Sequence, residues 1–524
     1  MSSKDAATKY MAPTPISLFE FIYERILEHQ KPHIDALISI LLDTGRALDL
    51  SDTGTGKTYT AIATCLLLGL KPFIICPKSV IYSWMDVAKM FNAPIYGVTN
   101  FETLHNCKYY NADQKKIYCP FIEIAVIDKT SSVGIKSKKK IFVWKDLPSD
   151  AIFIVDESHK CKNTTTLNYR IVKSLSSTNA KILLLSATLA DTIKAFKLPG
   201  FLLGLYGSMK EYKTWLHRIA GQNNDPIPFI HKLIFPQHAA RMCIKNLANL
   251  FKENIIHNDC YDMNNAKEIQ EMYDLIEEEV ALLKHKEDNS GSVLAQITYA
   301  RMGIEQLKIP TLIKLARKHH DEGNSVAIFV NYTSTLEKLC EELGTDCKIY
   351  GEQSLEERSQ HIQDFQKDVK RIIVCNIRSG GVGISLHDTH GLYPRVSLIS
   401  PSYSAQDIIQ VLGRIHRANG KTRVNQYLLY CKDTIEEKIC EAMEDKIKNI
   451  CILNDGYDSR PTKIVNNNVI PPIVIDSKIY QELMNKRKCF VNQIDNIRND
   501  VRAIDQIINV MIKNARSGKG ELID

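Results

Sequence analysis

The sequence predicts an α/β fold: two lobes, each a parallel sheet with flanking helices, separated by a helical insertion and followed by a helical tail. Three observations predict it. In the first half, apolar bursts alternate with amphipathic stretches, as a parallel sheet with crossover helices demands. The second half repeats that alternation. Between an early strand and the helix after it lies Ser51-Asp52-Thr53-Gly54-Thr55-Gly56-Lys57-Thr58, whose spacing wraps a backbone around a nucleotide's phosphates.

Each residue type in that loop has a chemical reason. Gly54, Thr55 and Gly56 form a tight turn whose amides point at phosphates from a helix N-terminus. Lys57 reaches the β and γ groups, and the Thr58 hydroxyl ligates magnesium. Ala47 to Leu50 reads as the strand end before it, and Thr60 to Leu68 as the helix after it. The full pattern begins with glycine, and here Ser51 takes that place. The cofactors implied are ATP and Mg2+.

Composition narrows the classes. The chain has 524 residues, 44% hydrophobic and 24% charged, which suits a globular protein of two to four domains. A net charge of +7 permits a polyanionic partner without requiring one. The 14 cysteines are scattered, with no Cys-x-x-Cys pair and no zinc-ligand spacing, so reduced thiols in an intracellular compartment are expected. No apolar run approaches the length of a membrane span, and no membrane partner is expected.

After the phosphate loop, strands are predicted at Pro72 to Cys76, Glu123 to Ile127, Ala151 to Val155 and Lys181 to Leu185. The third runs into Asp156-Glu157-Ser158-His159, two carboxylates at the carboxyl end of a buried strand, where ligands of open α/β sheets bind. Asp156 is expected to hold magnesium, and Glu157 to polarise the attacking water as general base. Adjacent buried carboxylates are costly unless a cation compensates them. The fourth strand runs into Ser186-Ala187-Thr188.

That order of loop, Asp-Glu-x-His and Ser-Ala-Thr resembles the superfamily 2 helicases and translocases. Asp156 to Asn163, reading DESHKCKN, is similar to the Swi/Snf branch, the DNA-dependent ATPases. Ile74 to Val80 with Trp84 resembles its motif Ia, and Gln30 the upstream glutamine that reads adenine. Swi/Snf proteins usually carry Gly-Thr-Pro where this chain has Ser186-Ala187-Thr188, the helicase form, which leaves strand separation open. In the second half, Val326 to Asn331 and Arg371 to Cys375 read as strands, and Arg378 to Leu386, containing Gly383, resembles motif V. The family has Asn where Ser385 stands. Gln410 to Arg417 matches motif VI. Arg414 and Arg417, three apart, are expected on one face of a helix, able to reach the γ-phosphate from the opposite lobe. Ser186, Thr188 and Gln410 are the expected coupling residues. Val424 to Tyr430 and Thr434 to Ile439 look like the strand and brace helix that follow.

The resemblance implies RecA-like lobes and this organisation: residues 1–200, lobe 1 with an N-terminal helical segment; 201–309, a helical insertion resembling the Swi/Snf protrusion; 310–455, lobe 2 with its brace helix; 456–524, a linker and an amphipathic helix. The basic run Lys136 to Lys140 reads as a solvated loop, with nucleic-acid contact as the sharper alternative. In the tail, Leu483, Phe490, Ile497, Ile504 and Met511 recur every seven residues, a seam for another chain or for docking on the motor. The implied function is a nucleic-acid-stimulated ATPase that translocates on double-stranded DNA and displaces bound factors, RNA remaining open. The alternatives are a strand-separating helicase, as in the transcription machinery of large DNA viruses, and a nucleic-acid-binding scaffold with a vestigial ATPase. The compartment implied is cytoplasm or nucleus, or the virion or viral factory of such a virus.

Overall fold

The computed structural model of this chain describes residues 18–130, 136–221, 224–247, 250–285, 290–377, 384–401 and 404–456. Gly383 and the heptad-patterned tail lie outside the described residues.

Among the described residues, the first half contributes β1 (Arg46–Asp49), β2 (Lys71–Ile75), β3 (Gly97–Thr99), β4 (Lys108–Tyr110), β5 (Lys116–Tyr118), β6 (Ile122–Thr130), β7 (Lys136–Trp144), β8 (Ala151–Val155), β9 (Lys181–Leu185) and β10 (Ala239–Ala240). One sheet runs in the order β10-β1-β9-β8-β2-β3-β4-β5. It is parallel from β10 to β3 and antiparallel at β4 and β5. β8 reads Ala-Ile-Phe-Ile-Val with every residue buried, as expected of a parallel strand covered on both faces. Ile74, Ile154 and Leu183 pack against the helices Lys31–Thr44, Lys57–Leu67 and Ile81–Met90. Their neighbours Phe73, Phe153 and Leu184 face the opposite way, towards Val172, Trp215 and Ile230. The period of two divides each strand between two cores.

The second half contributes β11 (Asn254–Tyr261), β12 (Ser325–Val330), β13 (Lys348–Ile349), β14 (Ile372–Asn376), β15 (Arg395–Ile399) and β16 (Val424–Cys431), in the order β11-β16-β15-β12-β14-β13 and parallel throughout. Two RecA-like lobes are therefore present. The helix Glu436–Asp455 joins them: Cys440, Met443 and Ile450 lie in the core of the second lobe, and Leu453 in the core of the first.

The structure departs from the sequence reading in three places. Glu123 to Ile127 is a strand, but it belongs to the separate antiparallel pair β6–β7 and not to the parallel sheet. Ile122, Phe142 and Trp144 anchor the base of that pair in the first core, and an antiparallel partner needs only a turn where a parallel one needs a crossover. The basic run Lys136 to Lys140, expected as a loop, is the first half of β7. Finally, the stretch 201–309 is largely helical but also supplies β10 to the first sheet and β11 to the second. The apolar content of β10 is two alanines, too little to register as a strand.

Candidate nucleotide site between the lobes

The phosphate loop leaves β1 and enters the helix Lys57–Leu67. Gly54 and Gly56 have φ of 86° and 94°, the left-handed region that glycine adopts without strain. Gly56 is required twice over, because a Cβ there would overlap Gln30 Nε2. That amide donates to Thr55 O at 3.0 Å, and Gln30 Oε1 accepts from Leu27 N at 2.9 Å, so Gln30 grips the loop. The helix begins without a side-chain cap, with Thr58 in its first turn, leaving its first amides oriented as an anion site. Lys57 Nζ folds over the turn and donates to Ser51 O at 2.8 Å and Asp52 O at 3.1 Å.

Ser51 is no mere substitute for glycine. Its hydroxyl accepts from Met242 N at 2.9 Å, and its amide donates to the buried Asp49 Oδ1 at 2.9 Å. Arg241, beside Met242, donates to Leu50 O at 3.1 Å and Asp52 Oδ1 at 2.8 Å, and pairs with Asp455, the last residue of the Glu436–Asp455 helix, at 3.0 Å. Nothing in the sequence signalled Arg241, which lies almost 190 residues from the loop it clamps.

The two carboxylates stand at the end of β8. Asp156 accepts from Trp84 Nε1 at 3.1 Å and from Glu157 N at 2.9 Å. Burial, and next the Glu157 charge, push the Asp156 carboxyl up to about 6. A buried carboxylate that strained wants a cation, so the donor set fits magnesium. Among the described residues no three His, Cys, Asp or Glu side chains cluster as a metal site without the nucleotide. Burial would raise Glu157 as well, but the charges of His159, Lys57, Lys160 and Arg414 outweigh it and hold that carboxyl below its ordinary value. His159 links onward, with Nδ1 lying 3.0 Å from Ser186 Oγ, which also accepts from Thr188 N at 3.1 Å.

The second lobe closes over this set through the helix Ala405–Ile415. Gln410 Nε2 donates to Glu157 Oε2 at 2.8 Å, and Gln406 Nε2 donates to Thr188 O at 3.0 Å. Lys162 of the first lobe returns the contact, donating to Gln406 Oε1 at 2.7 Å. Arg414 and Arg417 both donate to Ile384 O, at 3.3 and 3.1 Å. The helix ends at Ile415 and His416 is extended, so Arg417 lies past the helix and not on a shared helical face as expected. Its side chain nevertheless lies over the loop: a Cβ on Gly54 would fall 2.8 Å from Arg417 Cδ. Burial pushes Arg414 down to about 10 and Arg417 to about 9, so both remain charged at neutral pH in a place that favours an arriving anion.

Comparison with known proteins agrees with this geometry. Residues 24–191 match the family described as "Type III restriction enzyme, res subunit", and residues 307–419 the "Helicase conserved C-terminal domain". A "Putative ATP-dependent RNA helicase" of Acanthamoeba polyphaga mimivirus is 34% identical over 483 residues, covering 87% of this chain and 88% of that protein. The chain belongs to superfamily 2, on its Swi/Snf-like branch.

This superfamily 2 enzyme hydrolyses ATP, uses it with Mg2+, and does so in dependence on nucleic acid. It is also 24% identical over 500 residues to the human SWI/SNF-related matrix-associated actin-dependent regulator of chromatin subfamily A member 1, and 22% over 470 residues to an ISWI chromatin-remodeling complex ATPase of Saccharomyces cerevisiae. Those matches take in 85% and 82% of this chain but only 45% and 40% of the two relatives. A solved SWI2/SNF2 ATPase core of Sulfolobus solfataricus in complex with dsDNA aligns at a TM-score of 0.33 and 18% identity over 79% of this chain and 89% of that one, too loosely to add to the assignment.

A second cavity of the superfamily 2 core, about 660 Å³, opens between the lobes beside Asp156. Lys78, Ser79, Tyr82 and Lys160 line it from the first lobe, and Gln353 and Arg358 from the second. Among the described residues, no helix is long and apolar enough to cross a membrane.

Proposed function

We propose that the protein couples ATP hydrolysis to translocation along double-stranded DNA and so displaces or remodels what is bound there. The observation that carries this reading is the contact of Gln410 with Glu157 across the lobes, with Arg417 lying over Gly54. ATP would lie between Lys57, Thr58, Asp156 and Glu157 on one side and Arg414 and Arg417 on the other. Magnesium would be held by Thr58 and Asp156 and would supply neutralising charge to the phosphates. Gln30 would meet the base. Glu157 would orient and deprotonate the attacking water, and the two guanidinium groups would meet charge as it builds on the γ-phosphate. Because those groups come from opposite lobes, turnover requires closure, and each cycle of closure and opening moves one lobe against the other on nucleic acid in the basic cavity.

The preference for duplex DNA is our extension of the Swi/Snf-like assignment, whose relatives are named as a regulator of chromatin and a chromatin-remodeling ATPase. A strand-separating mode is the second reading, favoured by Ser186-Ala187-Thr188, whose Ser186 joins the His159–Glu157 network where the branch usually has Gly-Thr-Pro. The test compares ATP turnover with and without duplex DNA, then triplex displacement against strand separation. Duplex stimulation that is abolished by Lys57→Ala, with displacement and no separation, is the expected result. Absence of turnover in the intact protein overturns the proposal.

A further inference from the structure

The strand pair β4–β5 carries a patterned face that neither the phosphate loop nor the lobe contacts use. Its antiparallel register sets Lys108 opposite Tyr118 and Tyr110 opposite Lys116. Those four side chains share one face of the pair, and Tyr109 and Ile117 share the other. Tyr109 is buried and stacks on Phe73 with ring centroids 5.7 Å apart, which turns its face to one core, while on the Lys–Tyr face Tyr110 is half-buried against the other core and Tyr118 is exposed. Each lysine leans over its tyrosine: Nζ is 4.8 Å from the ring centroid for Lys108 and Tyr118, and 6.0 Å for Lys116 and Tyr110. Tyr110 and Lys116 line the basic cavity between the lobes, while Tyr118, 72% exposed, lies farther out on the edge strand of the sheet.

We propose that this face holds an unpaired nucleic-acid strand at the mouth of the cavity, a base stacking on Tyr118 and the phosphates lying near Lys108 and Lys116. An exposed ring offers a platform to any base, but only to one released from its pair. Ammonium groups alternating with rings match a strand whose bases and phosphates alternate, and they neutralise it without reading sequence. The face is continuous with the cavity through Tyr110 and Lys116, so a strand leaving the cavity crosses it. The inference rests on the cavity holding DNA and specifies the substrate further, as a duplex with an unpaired tail rather than a blunt one.

The test uses the full chain with three fluorescently labelled DNAs: a blunt duplex, the same duplex with a single-stranded tail, and the single strand alone. Dissociation constants and ATP turnover are measured for the natural protein, Tyr118→Ala and Tyr118→Trp. The natural protein is expected to prefer the tailed duplex, Tyr118→Ala to lose about tenfold in affinity for it, and Tyr118→Trp to keep that affinity. Blunt-duplex binding and unstimulated turnover should stay unchanged. Equal loss on blunt and tailed duplexes means backbone contact only and overturns the inference, as does no loss at all. DNA-stimulated turnover with tail-blind binding overturns the inference alone, whereas absence of DNA binding overturns the proposed function with it.

Discussion

Gly413 of the second lobe lies against Thr53 of the phosphate loop so closely that a Cβ on it would fall 2.8 Å from Thr53 Cβ and overlap the Thr53 hydroxyl. The helix bearing Gln410 and Arg414 therefore reaches the loop because one position on it has no side chain. Closure of the lobes is set there by sterics, before any charge acts.

Gly413→Ala is expected to hold the lobes apart and lower nucleic-acid-stimulated kcat by about tenfold or more, given that misplacing a catalytic group by about 1 Å costs on the order of a hundredfold. Nucleotide binding by the first lobe should persist. Thr53→Gly combined with Gly413→Ala returns the missing space and is expected to recover most of the rate, a recovery that steady-state ATPase assays of the double variant would read directly.

Glu157→Gln keeps the shape and the contact with Gln410 but removes the carboxylate proposed as the base. Turnover should fall by roughly 10²–10⁴-fold, the usual contribution of general-base catalysis, while ATP binding measured by equilibrium titration changes little. A variant that retained more than a few per cent of the rate would place the base elsewhere.

Acidity should act through Asp156, whose carboxyl burial and Glu157 together push up to about 6. Below that pH the nucleotide-free cleft holds the carboxyl protonated, and a magnesium-bound nucleotide must displace the proton. kcat/KM is therefore expected to fall as pH drops through about 6 and to level off about one unit above it. The stability effect has the opposite sense. A folded-state pKa above the unfolded value adds stability at low pH that is lost as pH rises through about 6, so acidification should stabilise the nucleotide-free protein at this group. Melting curves of Asp156→Asn beside the natural protein check this, since the variant should lack that dependence.

Arg241 ties the loop to the end of the Glu436–Asp455 helix through Asp52 and Asp455. Arg241→Ala should raise KM for ATP about tenfold by loosening the loop, with a smaller effect on kcat, whereas Asp455→Asn should leave the Asp52 contact and show a milder rise. If the two substitutions prove additive in a double-mutant cycle, Arg241 does not transmit between helix and loop.

The features legible in the sequence were local. The loop, the paired carboxylates after a continuous apolar strand, and the strand-helix alternation each depend on neighbours within about a dozen residues, where periodicity and turn chemistry apply. Their meeting across the cleft was implied by resemblance to superfamily 2 and not by spacing, as the end of the helix before Arg417 illustrates. The sequence of Glu123 to Ile127 shows an extended segment but not its pairing with β7, because an apolar burst does not say which strand lies beside it.

In this protein, residue order alone marked Lys57, Thr58, Asp156 and Glu157 as the nucleotide-handling groups proposed above, since they sit within short motifs whose backbone geometry is nearly self-contained. Tertiary packing decided the rest. It joined Ser51 to Met242, Arg241 to Asp52 and Asp455, Gly413 to Thr53, and Tyr110 and Lys116 to the cavity beside Asp156. Contacts of that kind join residues distant along the chain, where only the folding of two sheets and a bridging helix into one body brings them within reach.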